Sequence, residues 1–492
     1  MKPKIRLLSA LLLAALLISF VITSCGSDSG KSGETTAPDG SKSDGAGAET
    51  TEAVTEPPYE FLKNPQDFGG RTFTVLTGNA EPIDLDDSVK RGDVIIEAIH
   101  ERNLNTEELL NVKIRSVKSE IDVIKKMSEA VLANTGDYDA AFPSIWHAAL
   151  ALPNHYMVDF REVESIDLEN PWWGKTTIET FDFDSGKTYM IDGEINYMDD
   201  LSIICLYFNK DLLTNVGLEL PYDKVRDGSW TFDAFREIEK DGYLDLNGNG
   251  EADENDRYGY VTNGSNAFNM VTGMGSLTTR KNSDGDVEFV LDEAYFSKFD
   301  LVIDVLSNSP STVIMERKFG YGLGNEIFGF GNTYFAYNLI GSCLSYRSLE
   351  FDIGVVPFPK YDENQDRYYC LVNTGYATVY VLPLGCDAEF SGAVLEAMGW
   401  FASHCLTEAV IDQSVLIKGV RDEDSFDMFK IIFESKVHDL IYTLDWGGYY
   451  GKTCGMVQSG KNKLASTYAS IKKSVDKDLE KYIEAIRTGA AG

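Results

Sequence analysis

Residues 71–77 read RTFTVLT, and polar and apolar side chains alternate along this stretch as they do on a β-strand. The next segment, DVIIEAIHERNLNTEELL at residues 93–110, places apolar residues at helical spacing, and NVKIRSV at residues 111–117 alternates again. A strand, a helix and a second strand in this order form a βαβ unit. The sequence therefore predicts an α/β fold whose parallel sheet is covered by helices on both faces.

The same pattern continues to a third strand. IDVIKKMSEAVLANTG at residues 121–136 predicts a helix, and YDAAFPS at residues 138–144 predicts a short buried strand. Ligands of open parallel sheets bind beyond the carboxyl ends of the strands, so we expect residues 77–87 and 143–149 to face a ligand. The candidate ligand-binding residues in these two loops are Asn79, Ser144 and Trp146.

A chain of 492 residues is too long for one such sheet and predicts two lobes. EINYMDDLSIICLYFNKDLL at residues 194–213 is expected to cross between them as an extended hinge, which places Tyr197 and Asp199 beside the ligand cleft. FDIGVVPFPKY at residues 351–361 and YATVYVLP at residues 376–383 predict a further pair of strands. The predicted lobes are residues 59–200 with part of 378–430, and residues 201–377 with part of 431–488.

The N-terminal residues predict export. Three basic residues among the first six precede an apolar run from Leu7 to Val21, and ITSC leads into Cys25. This resembles the lipobox of bacterial lipoproteins, in which the cysteine is acylated and becomes the mature N-terminus. Residues 1–24 are thus predicted to be a lipoprotein signal peptide and Cys25 the lipidation site, with a single transmembrane anchor as the alternative.

Residues 25–58 are predicted to be a tether. The 33 residues after Cys25 contain no aromatic side chain and cannot bury a core, and as a flexible coil they would span about 30 Å. The whole chain has 44 Lys+Arg against 78 Asp+Glu, for a formal charge of −34, which excludes nucleic-acid binding as its main role. The cysteines after Cys25 lack the spacing of a zinc site, and both disulfides and buried thiols stay possible.

Four phrases carry a resemblance to a family: YFNKDLL, GLELPYDKVRDGSWTFDAF, DIGVVPFPKYDENQDRYY and RDEDSFDMFKIIFESKVHDL, within residues 207–440. In this order they resemble the lipid-anchored extracellular solute-binding proteins of ABC sugar importers, family 1, over most of residues 70–485. The resemblance implies a type II periplasmic-binding-protein-like fold with two lobes, hinge strands and a central ligand cleft. It also implies that the protein is not an enzyme, that it lies on the outer face of the cell membrane, and that it delivers a carbohydrate, expected to be an oligosaccharide, to an ABC permease.

DLNGNGEADEND at residues 245–256 has the spacing of a calcium loop. Oxygen-bearing side chains stand at positions 1, 3, 5, 9 and 12 of the twelve-residue motif, Gly250 stands at the turn position 6, and position 7 offers its carbonyl. Asp at position 12 is shorter than the usual Glu, and the following RYGYVT reads as a strand. We therefore expect a lone structural Ca²⁺ site, with a solvated acidic turn as the alternative. The predicted ligands are Asp245, Asn247, Asn249, Glu251, Asp253 and Asp256.

Aromatic side chains are the other binding signal, because a pyranose presents apolar C–H faces that stack on flat rings. Trp446 in LDWGGYY joins Asn79, Ser144, Trp146, Tyr197 and Asp199 as a candidate ligand residue. Trp230 precedes a predicted helix N-cap at Thr231, which favours a packing role. An exported glycoside hydrolase, a peptide receptor of the same fold and a purely structural surface lipoprotein are the competing functions; GxSxG and HExxH motifs are absent from the sequence.

Overall fold

The structure is a computed structural model, and it describes residues 63–78, 94–183, 185–283, 286–318, 323–410 and 423–488. The predicted signal peptide, Cys25, the tether at 25–58 and Asn79 lie outside these residues.

The strands, in chain order, are β1 (Arg71–Thr77), β2 (Val112–Lys118), β3 (Ala140–Phe142), β4 (Ile204–Asn209), β5 (Tyr258–Thr262), β6 (Thr279–Lys281), β7 (Val287–Phe289), β8 (Thr312–Ile314), β9 (Thr333–Leu339), β10 (Ile353–Val356), β11 (Cys370–Leu371) and β12 (Lys436–Val437). The α-helices are α1 (Val94–Leu110), α2 (Val123–Ala133), α3 (Ile145–Ala151), α4 (Lys175–Phe181), α5 (Met198–Leu201), α6 (Lys210–Asn215), α7 (Tyr222–Arg226), α8 (Phe232–Glu239), α9 (Asn266–Gly273), α10 (Glu293–Ile303), α11 (Met315–Lys318), α12 (Leu323–Gly329), α13 (Cys343–Tyr346), α14 (Ala388–Thr407), α15 (Glu423–Glu434), α16 (Leu440–Leu444), α17 (Tyr449–Ser459) and α18 (Leu464–Thr488).

Lobe 1 is built on a parallel sheet in the order β2-β1-β3. Arg71 pairs with Val112 and Val75 pairs with Ala140, which is the register that a βαβ unit gives. Phe73 on β1 is fully buried, and its ring meets Phe390 of α14 edge-on at 6.0 Å. The βαβ opening predicted from the sequence is therefore confirmed.

Lobe 2 is built on a mixed sheet in the order β10-β4-β9-β5-β8. Its strand β4 runs antiparallel to both neighbours, whereas β5 runs parallel to β8 and β9. Every residue of β4 is buried, as expected for a central strand covered on both faces. The parallel strands β5, β8 and β9 have their carboxyl ends at one edge, where β4 begins.

The predicted strand pair at residues 351–361 and 376–383 is wrong. In the structure β10 pairs with β4 of lobe 2, whereas residues 376–383 reach lobe 1, where Val381 bridges Ala141 and Tyr380 bridges Ile191. Both segments alternate and are apolar, so the sequence pattern identified them as extended. It could not tell that each one pairs with a different sheet.

Two stretches of chain cross between the lobes side by side. In the first, Gly193 still bridges Trp173 in lobe 1, and β4 begins lobe 2 at Ile204. In the second, Val372 bridges Ile203 and then Thr378 bridges Ser144 of lobe 1. The first crossing lies where the sequence predicted a hinge.

The first crossing is not extended throughout, because it contains the short helix α5. The side chain of Asn196 starts this turn by accepting a hydrogen bond of 2.8 Å from the backbone N–H of Met198. An Asn side chain that bonds the backbone two residues later favours a turn over an extended strand. The apolar pattern of the segment did not indicate this turn.

The C-terminal helix α18 links elements of both lobes. It packs against β7 and against the turn after α3. The Tyr482 hydroxyl donates to the carbonyl oxygen of Ala149, and the Tyr482 ring lies 5.3 Å from Phe183. Within the part of the chain that the structure describes, no helix is both long and apolar enough to span a bilayer.

Candidate ligand site

The carboxyl end of the lobe 1 sheet carries Ser144 and Trp146, as predicted. Strand β3 ends at Phe142, and Ser144 then caps helix α3 by accepting a hydrogen bond from the backbone N–H of His147. Because the Ser144 hydroxyl serves this cap, its role in the structure is to fix the first turn of α3 and so the position of Trp146.

Trp146 is a surface residue and not part of the core. It is 43% exposed, and its ring stacks at a tilt on His147 with the ring centroids 4.6 Å apart. Its backbone N–H donates to the carbonyl oxygen of Thr374 in the second crossing, at 2.9 Å. The indole is thus held open to solvent beside a segment that joins the lobes.

Tyr376 is a second exposed ring, in a turn that is hydrogen-bonded to the start of α3, and it was not among the residues predicted from the sequence. It is 59% exposed and stands in a turn where its N–H bonds the Asn373 carbonyl at 3.1 Å. The Ala377 carbonyl accepts from the N–H of Ile145 at 2.9 Å, so this turn and the start of α3 are fixed together. The turn residues Asn373, Thr374 and Gly375 between two apolar runs were the available signal.

A carboxylate, a histidine and a serine meet beside Trp146. Nδ1 of His147 lies 2.7 Å from the Asp122 carboxylate and 3.1 Å from the Ser144 hydroxyl. A hydrolytic triad needs its acid and its hydroxyl on opposite nitrogens of the imidazole, whereas here both meet the same nitrogen. This group therefore orients the His147 ring beneath Trp146 and does not form a nucleophile.

The edge of the lobe 2 sheet at which β5, β8 and β9 end is polar and aromatic. The first four residues of β9 are buried and the last three are half-buried, so the strand opens to the surface at Tyr337. Beyond β5, the side chain of Asn263 accepts a hydrogen bond of 2.6 Å from the hydroxyl of Ser265. Beyond β8, Glu316 accepts from the backbone N–H of Gly264 at 3.0 Å. The carboxyl ends of three parallel strands thus supply a set of hydrogen-bonding groups.

Aromatic rings of the C-terminal region adjoin this edge. Tyr450 stacks on Phe268 at 5.4 Å with an interplanar angle of 18°, and Tyr442 lies 5.9 Å from Tyr450. Burial raises the pKa of Tyr337, so its hydroxyl stays protonated and can donate. Trp446, predicted as a ligand residue, is half-buried and meets Tyr482 edge-on at 5.2 Å.

The two edges flank the same crossing segments. At the end of β9 the N–H of Ile340 donates to the carbonyl oxygen of Ile203 at 2.9 Å, and Ile203 bridges Val372 of the second crossing. Two residues further on, Thr374 holds Trp146. A groove between these edges would therefore have Trp146 and Tyr376 on one wall and the ends of β5, β8 and β9 on the other.

Asp199, predicted to lie beside the ligand cleft, is a buried residue of the first crossing. This residue is only 3% exposed, and its carboxylate accepts from Lys436 at 2.8 Å. Burial raises the pKa of Asp199, while the ammonium of Lys436 opposes that shift. Tyr197 begins helix α5 and is half-buried against the main core. A ligand contact by either residue stays a prediction.

The predicted calcium loop closes as a unit. Leu244 and Arg257 bridge its base, and β5 follows directly, which confirms that a strand and not a helix leaves the loop. Asp256 is fully buried at the base, and its carboxylate accepts from the backbone N–H groups of Leu246 and Asp253 at 3.1 and 3.0 Å.

The carboxylate, amide and carbonyl oxygens of this loop are the ligand types that a hard cation such as Ca²⁺ prefers. The amides of Asn247 and Asn249 both donate to one oxygen of Asp253, at 2.9 and 2.7 Å, so N–H groups occupy the position that a cation would take beside this carboxylate. Among the described residues, no three carboxylate, histidine or cysteine side chains are gathered as a metal cluster. Binding would therefore need these amides to turn away; Glu251 would contribute its carbonyl.

Three tryptophans pack the core, and for Trp230 this was the predicted role. Trp230 is fully buried, with its indole N–H donating to the Pro357 carbonyl at 2.9 Å, and Thr231 caps α8. Trp172 and Trp173 are each 3% exposed. All six cysteines after Cys25 carry free thiols, of which Cys205, Cys343 and Cys370 are buried.

Known structures share this architecture. The substrate-binding protein Lmo0181 of Listeria monocytogenes, in complex with cycloalternan, superposes with a TM-score of 0.55 at 14% identity, over 84% of this chain and 99% of that one. The fold is that of ABC substrate-binding proteins. RafE of Streptococcus pneumoniae matches this substrate-binding-protein fold with a TM-score of 0.53 at 14% identity, over 85% and 99% of the two chains. A cyclo/maltodextrin-binding protein complexed with maltotetraose superposes with a TM-score of 0.54 at 12% identity, over 85% of this chain and 98% of that one.

No family model matches the chain, and no curated protein sequence matches it either. The two-lobed α/β fold with hinge strands is thus established by structure, and the sequence prediction of that fold is confirmed.

Proposed function

We propose that the protein is a lipid-anchored extracellular receptor that captures a carbohydrate between its lobes and delivers it to the permease of an ABC importer. The observation that carries this proposal is the pair of exposed rings, Trp146 and Tyr376, at the carboxyl edge of the lobe 1 sheet and beside a crossing segment. Ligands of open α/β sheets bind at such an edge.

The chemistry of the two walls fits a sugar. The faces of Trp146 and Tyr376 offer apolar area to the C–H faces of pyranose rings. The opposite wall offers Asn263, Glu316 and Tyr337, whose amide, carboxylate and hydroxyl can exchange several hydrogen bonds with sugar hydroxyls. Two separate rings on one wall favour an oligosaccharide, because each can stack on a different sugar unit.

The fold supports capture by closure. Both walls are attached to the crossing segments, so a bend in these segments moves one wall toward the other. A ligand that touches both walls binds the closed state more tightly than the open state, and this difference in affinity sets how far it shifts the protein toward the closed state. A permease that docks both lobes could then read the closed state.

A binding screen tests the proposal. The purified chain without the signal peptide is titrated with cycloalternan, maltotetraose, ribitol and common monosaccharides, while Trp fluorescence and the melting temperature are followed. A carbohydrate that binds should raise the melting temperature with its concentration, by mass action. Short peptides are run in parallel, and their selective binding would replace the sugar with a peptide as the ligand. Release of reducing ends from the glycans would show an enzyme and overturn the receptor proposal.

We further propose that the loop at residues 245–256 holds a structural Ca²⁺ through Asp245, Asn247, Asn249, Asp253 and Asp256 with the carbonyl of Glu251. The ion would stabilise the connection between α8 and β5, because the loop joins these two elements of lobe 2. Support comes from the oxygen ligands at alternate positions and from the buried carboxylate of Asp256.

A further inference from the structure

Buried and half-buried ionisable side chains cluster where the crossing segments meet lobe 1. The carboxylates come from the first crossing, and the Nζ atom of Lys436 on β12 lies 2.8 Å from Asp199 and 3.2 Å from Asp200. His438, two residues further on, is 4% exposed and faces the same region. The members of this cluster, called here the junction cluster, are Asp192, Glu194, Asp199, Asp200, Lys436 and His438.

A threonine connects two members of the junction cluster. The Thr177 hydroxyl lies 2.6 Å from Oδ2 of Asp192 and 2.9 Å from Nε2 of His438. A hydroxyl has only one proton to donate. Either Thr177 donates to Asp192 and accepts from His438, or a protonated Asp192 donates to Thr177 and Thr177 donates to His438. Oδ1 of Asp192 and Nδ1 of His438 have no hydrogen-bond partner in the described part of the chain. The junction cluster therefore contains two buried atoms, one oxygen and one nitrogen, that could each bind a proton.

The charges of the junction cluster do not balance. Lys436 is its ammonium, and the guanidinium of Arg102 on the neighbouring helix α1 adds a second cation by donating to the Ile195 carbonyl. Glu194 accepts a hydrogen bond from the Thr407 hydroxyl of α14. Burial, together with the nearby carboxylates of Asp200 and Asp192, raises the pKa of Glu194 to about 7. Fully ionised, the four carboxylates would exceed the two cations.

We propose that the junction cluster is a proton-binding site that makes the rigidity of the crossing segments depend on pH near neutrality. Below the transition Glu194 is neutral, and Lys436 faces Asp199, Asp200 and Asp192. Above it a further negative charge is enclosed beside Asp200 and Asp192, and the resulting repulsion and desolvation favour opening of the junction. The consequence for ligand capture rests on the proposed function, whereas proton binding itself does not.

Hydrogen–deuterium exchange of the ligand-free protein tests this directly. Peptides that cover residues 191–204 and 370–378 are compared at pH 6 and pH 8, after correction for the intrinsic exchange rate. In openings that expose Glu194 and leave His438 buried, a carboxyl whose pKa is about 7 when enclosed and 4.5 when exposed should make opening about tenfold more frequent at pH 8 than at pH 6. Glu194→Gln keeps the size of the side chain and should abolish this difference.

Glu239→Gln is the matched control. Glu239 is a buried carboxylate of lobe 2 whose pKa is also raised by burial, and it accepts from Ser309 and Thr312 at 2.7 and 2.8 Å. This variant should leave the pH dependence at the junction unchanged. Equal protection of the wild-type crossing segments at both pH values overturns the proposal even if neither variant folds. An unchanged pH dependence in Glu194→Gln overturns it as well.

Discussion

Trp146→Ala separates a ligand platform from a packing residue, because the two roles affect different quantities. A fully buried Trp costs about 3–5 kcal/mol of folding free energy when truncated to Ala. Trp146 is 43% exposed, so about half of its surface already contacts water. We therefore expect the unliganded variant to lose only about 1–2 kcal/mol of folding free energy.

The loss in binding follows from the area that the ring offers. A Trp side chain presents up to about 250 Å², of which 43% corresponds to roughly 100 Å² that a ligand could cover. At about 25 cal/mol per Å² this gives at most about 2.5 kcal/mol, and covering half of it gives about 1.2 kcal/mol. The dissociation constant of the carbohydrate found in the binding screen should therefore rise by about 8- to 70-fold.

Isothermal titration calorimetry measures the affinity, and thermal unfolding without ligand measures the stability. Phe330→Ala is the matched control, because Phe330 is 57% exposed but lies before β9, at the end of lobe 2 away from the crossings. It should leave the affinity unchanged. Trp230→Ala is the opposite control, since this Trp is fully buried and its truncation should strongly destabilise the fold.

Two results would contradict a ligand-binding role for Trp146. A severe loss of stability with unchanged affinity would mean that the ring packs the core in solution. A small stability loss with unchanged affinity would place the ligand elsewhere, and Tyr337 and Tyr450 on the lobe 2 wall would become the next residues to truncate.

Three further predictions use other parts of the chain. Calcium should raise the melting temperature of wild type, and Asp245→Ala should remove most of that gain; chelation without effect would leave the loop a solvated turn. Cys25→Ser should abolish lipid labelling and membrane retention, so a variant that still incorporates radiolabelled palmitate would exclude this acylation site. Burial, reinforced by Lys436, lowers the pKa of His438 to about 3, so folding opposes its protonation. Its contribution to stability is therefore present above pH 6.5 and is lost as the pH falls toward 3. Between pH 6.5 and pH 5 the free energy of unfolding of the wild type, measured with urea, should fall by about 2 kcal/mol. The variant His438→Gln should not show this fall.

Local periodicity was enough to predict the three-stranded sheet of lobe 1, because β1, β2 and β3 and the helices between them follow one another in the chain. The alternation in β1 and β2 and the helical spacing of α1 each arise from contacts within about twenty residues. Lobe 2 was harder to predict, since β4 pairs with β9 and β10 more than a hundred residues later. No local pattern carries such a pairing, and this is why residues 376–383 were paired with the wrong partner.

In the candidate site, too, the residues placed by a local pattern were predicted, and those placed by contacts between distant parts of the chain were not. Trp146 was found because it follows a recognisable strand, and the rule about carboxyl ends then placed it. Tyr376 was missed because it lies in the second crossing, whose position depends on a bridge between Ile203 and Val372. Asp199 was chosen for its place in the predicted hinge, and no local pattern indicated its burial, because the partner that allows that burial is Lys436, 237 residues away.

The hydrogen bond from Trp146 to Thr374 connects recognition to movement. A rigid lobe with a separate hinge would let the ligand platform stay fixed while the crossing segments bend. Here the N–H groups of Ile145 and Trp146 both bond carbonyls of the second crossing, so the first turn of α3 and the turn that carries Tyr376 are held together. A bend that changes the angle between the lobes must therefore either carry both rings along or break these bonds. Because carrying the rings keeps two hydrogen bonds that would otherwise be exchanged for bonds to water, the two platforms should move as one unit, and their spacing should be the same in the open and closed states.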